Sequence, residues 1–404
     1  MATLLTSEPA LERCVRHIAW LGKKSPFCGN VTYGLSTTEA LRARGHQISF
    51  IHFANPGTPG SSTSLLANDP DVSLPYLVKS QVYTIPSPGA QRELRESLER
   101  LQPDLVHASL TLSPLDFRLP ELCQQLGVPL VATFHPPFDA GLRNLTAGTQ
   151  QLTYQLYAPS LAKYDRVIVF SDLQAEFLAR LGVREERLAV IPNGVDPDCW
   201  RPGETTLSTV GSPLRSVRAR IGDKRIFLYM GRVATEKNVE ALLRAWRLVR
   251  PEGCRLVIVG DGPLHATLQN TYSNDDVLWW GYEADLATRV ALLQSAEVFV
   301  LPSLVEGLSL ALLEAMASGC ACIATDAGAD GEVLAGGAGI VLSTQGVTTQ
   351  LRTLLPVLRD QPVLTRELGR KARERVLERY TMTSNIDALE RLYADVMRHE
   401  PMAA

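Results

Sequence analysis

Two glutamates, Glu306 and Glu314, lie in a segment that is otherwise almost wholly apolar and small, residues 302–319. The stretch 310–317 predicts a helix that is apolar on nearly every side and therefore buried. A carboxylate in the middle of such a helix, as at Glu314, is costly unless a partner compensates it. Eight residues of helix rise about 12 Å, so the two acids are well separated and on different faces. We therefore expect two acceptors along an extended polyhydroxy ligand, rather than a shared metal or proton.

Two cations, Arg232 and Lys237, lie between a predicted strand and a helix predicted over 238–249. The amides and dipole of a helix N-terminus favour anions, and the formal charges add to that preference. Arginine can hold a phosphate through two hydrogen bonds, whereas lysine supplies a compact charge. Taken alone, these residues could equally be an ordinary solvated arginine and lysine on a loop. Their combination with Glu306 and Glu314 favours a phosphate site.

Two glycine-containing turns follow other predicted strands. Gly260 and Gly262 form a tight turn, which is compatible with close approach of the backbone to a planar base. Gly29 and Asn30 end the loop after the first strand, where amides could face the same phosphates; a simple turn is equally open. The first domain lacks a Walker lysine motif and a GxGxxG opening, so nicotinamide binding and ATP hydrolysis lack their usual sequence support.

Composition restricts the class of protein. A chain of 404 residues suggests two domains, and a net charge of −3 gives no global basic field for nucleic acid. We expect no transmembrane segment, because no run of 18 or more apolar residues occurs. Residues 1–16 lack a signal-peptide pattern and are expected to be a short extension. The seven scattered cysteines, without a CxxC pair, predict free thiols.

Strands and helices alternate along the chain, which predicts an α/β fold. We expect two Rossmann-like domains with parallel sheets facing across a cleft, and ligands at the carboxyl ends of the strands. The first domain is predicted over 17–195 and the second over 196–383, and a C-terminal helix at about 384–400 is predicted to pack back on the first. The first helix is predicted over 32–44, and 134–157 is predicted to be a long loop rich in apolar residues.

The chain resembles the family-4 glycosyltransferases of the GT-B fold, which are retaining and use nucleotide sugars. The resemblance extends over essentially the whole chain. Its most specific part is the frame Pro-Ser-x-x-Glu-Gly-x-x-x-x-x-x-Leu-Glu-Ala-Met-Ala-x-Gly, which contains Glu306 and Glu314. Further matches are Gly231-Arg232 with Lys237, the run 192–196 and the turn 260–263. Asn238 follows Lys237 where the family often has glycine, and Cys28 replaces the first of two glycines.

The resemblance implies roles for individual residues. Arg232 and Lys237 would hold the donor diphosphate, Glu314 would accept hydrogen bonds from the ribose, and Glu306 would accept them from the donor sugar. His135 matches the family's cleft histidine near the sugar 6-hydroxyl. The catalytic set implied in this way is His135, Arg232, Lys237 and Glu306. The donor-binding set is Gly29, Asn30, Arg232, Lys237, Gly260, Gly262, Glu306, the amides of Gly307, Leu308 and Ser309, and Glu314.

The resemblance also implies a mechanism. Arg232, Lys237 and the helix dipole would stabilise the leaving diphosphate electrostatically. Retention in this family is usually explained by attack on the same face of the sugar, with the leaving phosphate accepting the acceptor's proton. We expect no cofactor and no metal, because the sequence shows no evident cluster of histidine and acidic ligands. Two closing domains would exclude water.

The acceptor is predicted from the opening of the first domain, residues 17–34, which looks like that of bacterial digalactosyldiacylglycerol synthases. This resemblance implies UDP-galactose as donor, monogalactosyldiacylglycerol as acceptor, and a cytoplasmic protein bound peripherally to a membrane, the photosynthetic one. Lys23, Lys24, Phe27 and the segment 74–79 could contact an anionic interface, or could be ordinary surface loops. The loop at 134–157, with Phe138 and Leu142, is the predicted acceptor opening. A soluble sugar, sugar phosphate or glycan acceptor is the alternative, and a non-catalytic nucleotide-sugar-binding protein is a third.

Overall fold

The computed structural model describes residues 16–25, 28–54, 71–80, 83–138, 145–203 and 212–398. These residues divide into two compact units, one that ends at Val131 and one from Ala132 to Arg398. Apart from Arg16, the predicted N-terminal extension lies outside the described residues, and the boundary at 195/196 stays a prediction.

The first unit alternates strands with helices and carries a small hairpin. Its elements are β1 (His17–Gly22), α1 (Gly29–Ala43), β2 (Gln47–Phe53), β3 (Val72–Leu74), β4 (Tyr76–Lys79), β5 (Thr84–Pro86), α2 (Ala90–Leu101), β6 (Leu105–Ser109) and α3 (Leu119–Leu126). Strand β7 (Leu130–Thr133) spans the unit boundary.

The second unit continues the alternation. Its elements are α4 (Leu145–Leu161), β8 (Arg166–Val169), α5 (Asp172–Arg180), β9 (Leu188–Val190), α6 (Pro213–Ile221), β10 (Arg225–Met230), α7 (Val239–Val249), β11 (Cys254–Val259), α8 (His265–Tyr272), β12 (Val277–Gly281), α9 (Leu286–Ser295), β13 (Val298–Leu301), α10 (Leu310–Ala317), β14 (Ala321–Thr325), α11 (Asp330–Leu334), β15 (Ile340–Leu342), α12 (Val347–Asp360), α13 (Pro362–Arg379) and α14 (Met382–Arg398).

Two sheets organise these elements, with strand orders β3-β2-β1-β6-β7-β8-β9 and β12-β11-β10-β13-β14-β15. In the second sheet every neighbouring pair of strands is parallel. Strands β13 and β14 are buried along their whole length, as expected for parallel strands that are covered on both faces. The predicted α/β fold with two parallel sheets is therefore confirmed.

Two local predictions were wrong. Helix α1 begins at Gly29 rather than residue 32, because Cys28 is extended and its carbonyl already accepts the amide of Thr32 at 3.1 Å. The predicted long loop at 134–157 contains most of α4, because the buried Tyr154 and Tyr157 hold this helix against Phe134. The Tyr154 hydroxyl donates to the Pro136 carbonyl at 2.8 Å, and its ring meets Phe134 edge-on.

The C-terminal helix α14 contacts the segment that follows β9. The amide of Met382 donates to the Val195 carbonyl at 2.8 Å, and the Asn385 side chain donates to the Pro192 carbonyl at 2.6 Å. Addition of a Cβ to Gly194 would place it 2.7 Å from the Thr381 carbonyl oxygen, so glycine permits this close contact. No helix within the described ranges is long and apolar enough to cross a membrane.

The hairpin β4–β5 exposes large apolar side chains. Leu77 is 66% exposed, and Val78, Tyr83 and Ile85 are also exposed. Of the lysines predicted to lie at an interface, Lys23 is buried and Lys24 forms an ion pair with Asp71. The apolar hairpin therefore remains a candidate contact surface, whereas these lysines are engaged within the protein; Phe27 lies outside the described residues.

Candidate active site

The loop after β10 carries the predicted phosphate-binding cations, and it is held by the neighbouring glycine turn. The amide of Val233 donates to the Asp261 carbonyl at 2.9 Å. Gly260 has a φ of 130°, and a Cβ there would lie 1.9 Å from the Gly231 carbonyl oxygen. A Cβ on Gly262 would lie 2.4 Å from the Val233 carbonyl oxygen. These two glycines thus allow one loop to pack on the other, and contact with a base stays a prediction.

Arg232 has a fixed backbone and a partly exposed side chain. The buried Tyr229 hydroxyl donates to the Arg232 carbonyl at 2.7 Å. Burial, followed by the nearby carboxylate of Glu306, raises the pKa of Tyr229 well above its usual value, so the phenol keeps its proton. The Arg232 guanidinium lies 3.2 Å from Glu236 and is 38% exposed. An exposed ion pair of this kind is weak, so the guanidinium can exchange this partner for a phosphate.

Lys237 is the cation that pairs with Glu306. It ends a short 3₁₀ turn, and Asn238 then adopts a left-handed conformation with a φ of 51° before α7 begins. Asparagine tolerates this conformation better than most residues, so the family's glycine is replaced without loss of the turn. The Lys237 amine lies 2.5 Å from Oε1 of Glu306.

Glu306 is buried and accepts two hydrogen bonds at the same oxygen. Besides Lys237, the Ser303 hydroxyl donates to Oε1 at 2.7 Å, and Glu306 is only 6% exposed. Burial alone lowers the pKa of Lys237, but the charge and hydrogen bond of Glu306 outweigh it, with a smaller contribution from Glu236. The pKa of Lys237 is therefore raised and the amine is cationic.

His135 lies beside the Glu306 loop. The amide of Phe138 donates to the Glu306 carbonyl at 2.9 Å, and a Cβ on Gly307 would lie 3.3 Å from the His135 carbonyl oxygen. The His135 ring is 5.3 Å from that of Phe170. The structure thus brings together His135, Glu306 and Gly307. Phe138, predicted to line an acceptor opening, is instead buried because it pairs with this loop, and Leu142 lies outside the described residues.

Three hydrogen bonds fix the backbone of the residues that follow Glu306. The carbonyl of Gly307 accepts the Ala329 amide at 2.8 Å, and the carbonyl of Leu308 accepts the Asn193 side chain at 2.9 Å. The amide of Ser309 donates to Oδ1 of Asp330 at 2.9 Å, so this amide is occupied by a carboxyl group. The Ser309 hydroxyl caps α10 by accepting the Leu312 amide at 3.3 Å.

Glu314 has the partner that its burial requires. One guanidinium nitrogen of Arg289 lies 3.0 and 2.9 Å from its two carboxylate oxygens, and Glu314 is 5% exposed. Burial raises the pKa of Glu314, and the charge and hydrogen bonds of Arg289 oppose that rise. Arg289 in turn lies over the Trp200 ring, 5.3 Å from its centroid. The predicted ribose acceptor is therefore one half of a buried ion pair.

Gly29 and Asn30 lie in the first unit, in the first turn of α1. Gly29 is exposed, with open space where a Cβ would stand. The Asn30 side chain donates to the Leu110 carbonyl at 3.0 Å and accepts from the Ser109 hydroxyl at 3.0 Å. Asn30 therefore fixes the start of α1 to the end of β6, and the phosphate contact expected of these two residues stays a prediction.

Sequence reasoning missed three residues at the second-unit site: Ser303, Arg289 and Asp330. Ser303 lies inside the motif and could have been found there. The burial predicted for Glu314 implies a compensating partner, but no pattern in the sequence identifies Arg289 as that partner. Within the described ranges, no group of three histidine, cysteine or acidic residues is arranged to hold a metal ion. The six described cysteines are free.

Comparisons with known proteins agree with this architecture. The family model "Glycosyltransferase Family 4" matches residues 29–199, and "Glycosyl transferases group 1" matches residues 224–360. The N-acetyl-alpha-D-glucosaminyl L-malate synthase of Bacillus anthracis is 31% identical over 183 residues, 44% of this chain and 47% of that protein. The alpha-monoglucosyldiacylglycerol synthase of Streptococcus pneumoniae is 27% identical over 247 residues, 57% of this chain and 53% of that protein. The match thus spans about half the length of each relative.

A solved structure matches over almost the whole chain. Anabaena Alr3699/HepE in complex with UDP-glucose has a TM-score of 0.74 and 18% sequence identity, and the match covers 94% of this chain and 100% of that one. At this identity the likeness shows the fold alone. The protein has the GT-B architecture of glycosyltransferases. The two family models, taken with this fold, support a family-4 glycosyltransferase.

Proposed function

We propose that the protein transfers a hexosyl group from a nucleotide sugar to an acceptor hydroxyl with retention of configuration. The observation that carries the proposal is the Lys237–Glu306 pair at the carboxyl edge of the second sheet, in which the amine lies 2.5 Å from a buried carboxylate and on the same loop as Arg232. It puts a cation for a diphosphate and an acceptor for sugar hydroxyls side by side. Both hydrogen bonds that Glu306 accepts from side chains go to Oε1, and the proposal assigns Oε2 to the sugar.

The chemistry follows from where charge develops. Breaking the anomeric C–O bond leaves negative charge on the diphosphate and positive charge on the sugar ring. Lys237 and Arg232 stabilise the former, and Glu306 accepts a hydrogen bond from a hydroxyl of the sugar. The leaving phosphate takes the proton of the acceptor hydroxyl, which attacks the same face. His135 positions the sugar, and Glu314, held by Arg289, accepts hydrogen bonds from the ribose.

The proposed donor is UDP-galactose and the proposed acceptor monogalactosyldiacylglycerol, so that the product is digalactosyldiacylglycerol. A relative whose name states a diacylglycerol glycolipid product supports a lipid acceptor. The apolar side chains exposed on β4–β5 support peripheral contact with a membrane, because apolar groups at the interfacial region are favoured by burial. Lipid-dependent activity is the corresponding expectation.

The experiment incubates the purified protein with UDP-galactose or UDP-glucose, each with and without monogalactosyldiacylglycerol in mixed micelles. Released UDP and lipid products are measured together. The proposal expects a digalactosyl lipid from UDP-galactose, with the α-anomeric configuration retained in the product. If neither sugar nucleotide is consumed under any condition, the transferase proposal fails.

A soluble acceptor is the second candidate, and the name of the L-malate synthase relative favours it. In that case UDP release rises with a soluble hydroxy acid, sugar or sugar phosphate and not with micelles. A matched pair of variants separates the two. Leu77→Ser, in the exposed hairpin, lowers lipid-dependent transfer only, whereas Leu248→Ser, exposed on α7, changes neither.

A further inference from the structure

Asp330, at the start of α11, is a fully buried carboxyl group whose two oxygens differ. Oδ1 accepts the amide of Ser309 at 2.9 Å. Oδ2 is buried and has no hydrogen-bond partner among the described residues. A buried, ionised carboxylate with an unpartnered oxygen is far more costly than the neutral acid. Burial of this unpartnered oxygen therefore favours the neutral acid over the carboxylate.

The backbone before Asp330 is pressed against the loop that carries Glu306. Gly328 has a φ of 57°, and a Cβ there would lie 2.1 Å from the Glu306 carbonyl oxygen. The next amide, of Ala329, donates to the Gly307 carbonyl at 2.8 Å. The backbone at Asp330 is thus fixed relative to the residues proposed to contact the sugar, and its carboxyl group is buried.

The charged groups that act on Asp330 are Glu306 and Lys237. Burial, followed by the negative charge of Glu306, raises the pKa of Asp330 well above its usual range. The Ser309 amide and the Lys237 cation oppose this rise without cancelling it. Glu236 also raises the pKa of Lys237 and so adds a further negative charge near the amine. The electrostatics thus favour the neutral acid as well.

We propose that Asp330 is a positioning residue of the donor site. As a neutral acid it orients the Ser309 amide. Because it carries no charge, Glu306 is the carboxylate that pairs with Lys237, and the charge of the amine can also act on the diphosphate. The inference rests on the proposed function. Ionisation of Asp330 as pH rises adds a second carboxylate that acts on Lys237 and competes with the diphosphate for the amine. Transfer therefore falls as Asp330 loses its proton.

The test compares Asp330→Asn and Asp330→Ala with the wild type across a pH series from mildly acidic to alkaline. Asparagine keeps an acceptor for the Ser309 amide and cannot ionise, so near neutral pH its kcat stays within about threefold of wild type, the scale of one ordinary hydrogen bond. In this variant the decline of kcat that ionisation of Asp330 causes is absent or moved to higher pH. Alanine loses the acceptor and lowers kcat at every pH. Asp326→Asn, in the same loop, is the matched control and keeps the wild-type pH profile.

Thermal unfolding supplies a readout that does not depend on transfer. Because the raised pKa makes ionisation in the folded state unfavourable, the wild type loses stability relative to Asp330→Asn as pH rises above the usual aspartate pKa. Parallel pH dependences of the two unfolding midpoints would overturn the proposal. So would coincident pH–kcat profiles, or an asparagine variant as inactive as alanine. Failure of the proposed function appears instead as a wild type that consumes no sugar nucleotide, while the unfolding result still stands.

Discussion

Two ion pairs in the second unit involve the two glutamates of one motif, yet they are built differently. Lys237 and Glu306 both lie on loops, and a single 2.5 Å contact joins them. Arg289 and Glu314 lie on helices α9 and α10, and one guanidinium nitrogen contacts both carboxylate oxygens. A compact, flexible ammonium on a loop can move to a ligand, whereas a guanidinium held over Trp200 has less freedom. The mobility of Lys237 fits its proposed role in the transfer step. The more rigid Arg289–Glu314 pair fits its proposed role in binding the ribose.

The difference also predicts what each pair contributes to stability. Removal of one partner from a buried pair leaves an uncompensated charge, at a cost of about 3–5 kcal/mol where both groups are fully buried. Lys237 keeps 23% of its side chain exposed, so its loss is expected to cost less than that upper range. Mutations can therefore separate an effect on turnover from an effect on folding.

The largest effect is expected at the first pair. Lys237→Met or Glu306→Gln lowers transfer by about 100-fold or more, because each removes a charge that acts on the reacting centre. The measurement is UDP release from the sugar nucleotide, with circular dichroism to confirm that the fold is kept. Glu297→Gln is the matched control, since it breaks an ion pair with Arg225 away from the loops. Turnover at the wild-type rate in either variant would remove these residues from the site.

The second pair is expected to affect stability and donor affinity more than turnover. Arg289→Met leaves Glu314 buried without a cation and lowers the free energy of unfolding by about 3 kcal/mol. It also raises the pKa of Glu314 further, so donor affinity weakens as pH falls. Denaturant unfolding and a pH series of donor KM measure both. The double variant with Glu314→Gln recovers much of the stability; if it does not, the pair is not the cause.

A smaller effect is expected at Ser303, whose hydroxyl orients Glu306. Ser303→Ala removes the 2.7 Å hydrogen bond and lowers kcat by about fivefold, corresponding to roughly 1 kcal/mol. Thr325→Val is the comparison variant, because its hydroxyl binds the Ser303 carbonyl and not Glu306. Equal losses in the two variants would show that only loop packing matters.

The smallest effect is expected at the turn that presents Lys237. Asn238→Gly keeps the left-handed conformation and leaves transfer near the wild-type level. Asn238→Ala places a residue that disfavours this conformation and costs about 1 kcal/mol of stability. Unfolding midpoints and kcat are compared for the two. If glycine lowers transfer more than alanine, the asparagine side chain has a role beyond the turn.

The sequence was informative where a residue's neighbours along the chain decide its environment. The apolar run around Glu314 predicted a buried helix with a carboxylate that needs a partner, and the structure has both. Which residue is that partner depends on how α9 packs on α10, so Arg289 could not be predicted. Asp330 was missed for the same reason, since its contact with Ser309 joins two separate loops.

The errors in the fold have local physical causes. The start of α1 at Gly29 depends on an extended Cys28, and a glycine in the first turn gave no sign of helix. The sequence of α4 does not predict a helix, because its apolar residues do not form one clear face. Its buried tyrosines pack on Phe134, whereas Leu152 and Leu156 are exposed. Tertiary packing, not local pattern, decides that segment.

The most direct test of the account measures UDP affinity and sugar transfer together in wild type, Glu306→Gln and Glu314→Gln. If Glu306 acts on the sugar and Glu314 on the ribose, Glu306→Gln binds UDP with wild-type affinity while its transfer is lost. Glu314→Gln instead weakens UDP binding and transfers at a substantial rate when the donor is saturating. The opposite assignment, with Glu306→Gln transferring normally and Glu314→Gln binding UDP unchanged, would contradict the account.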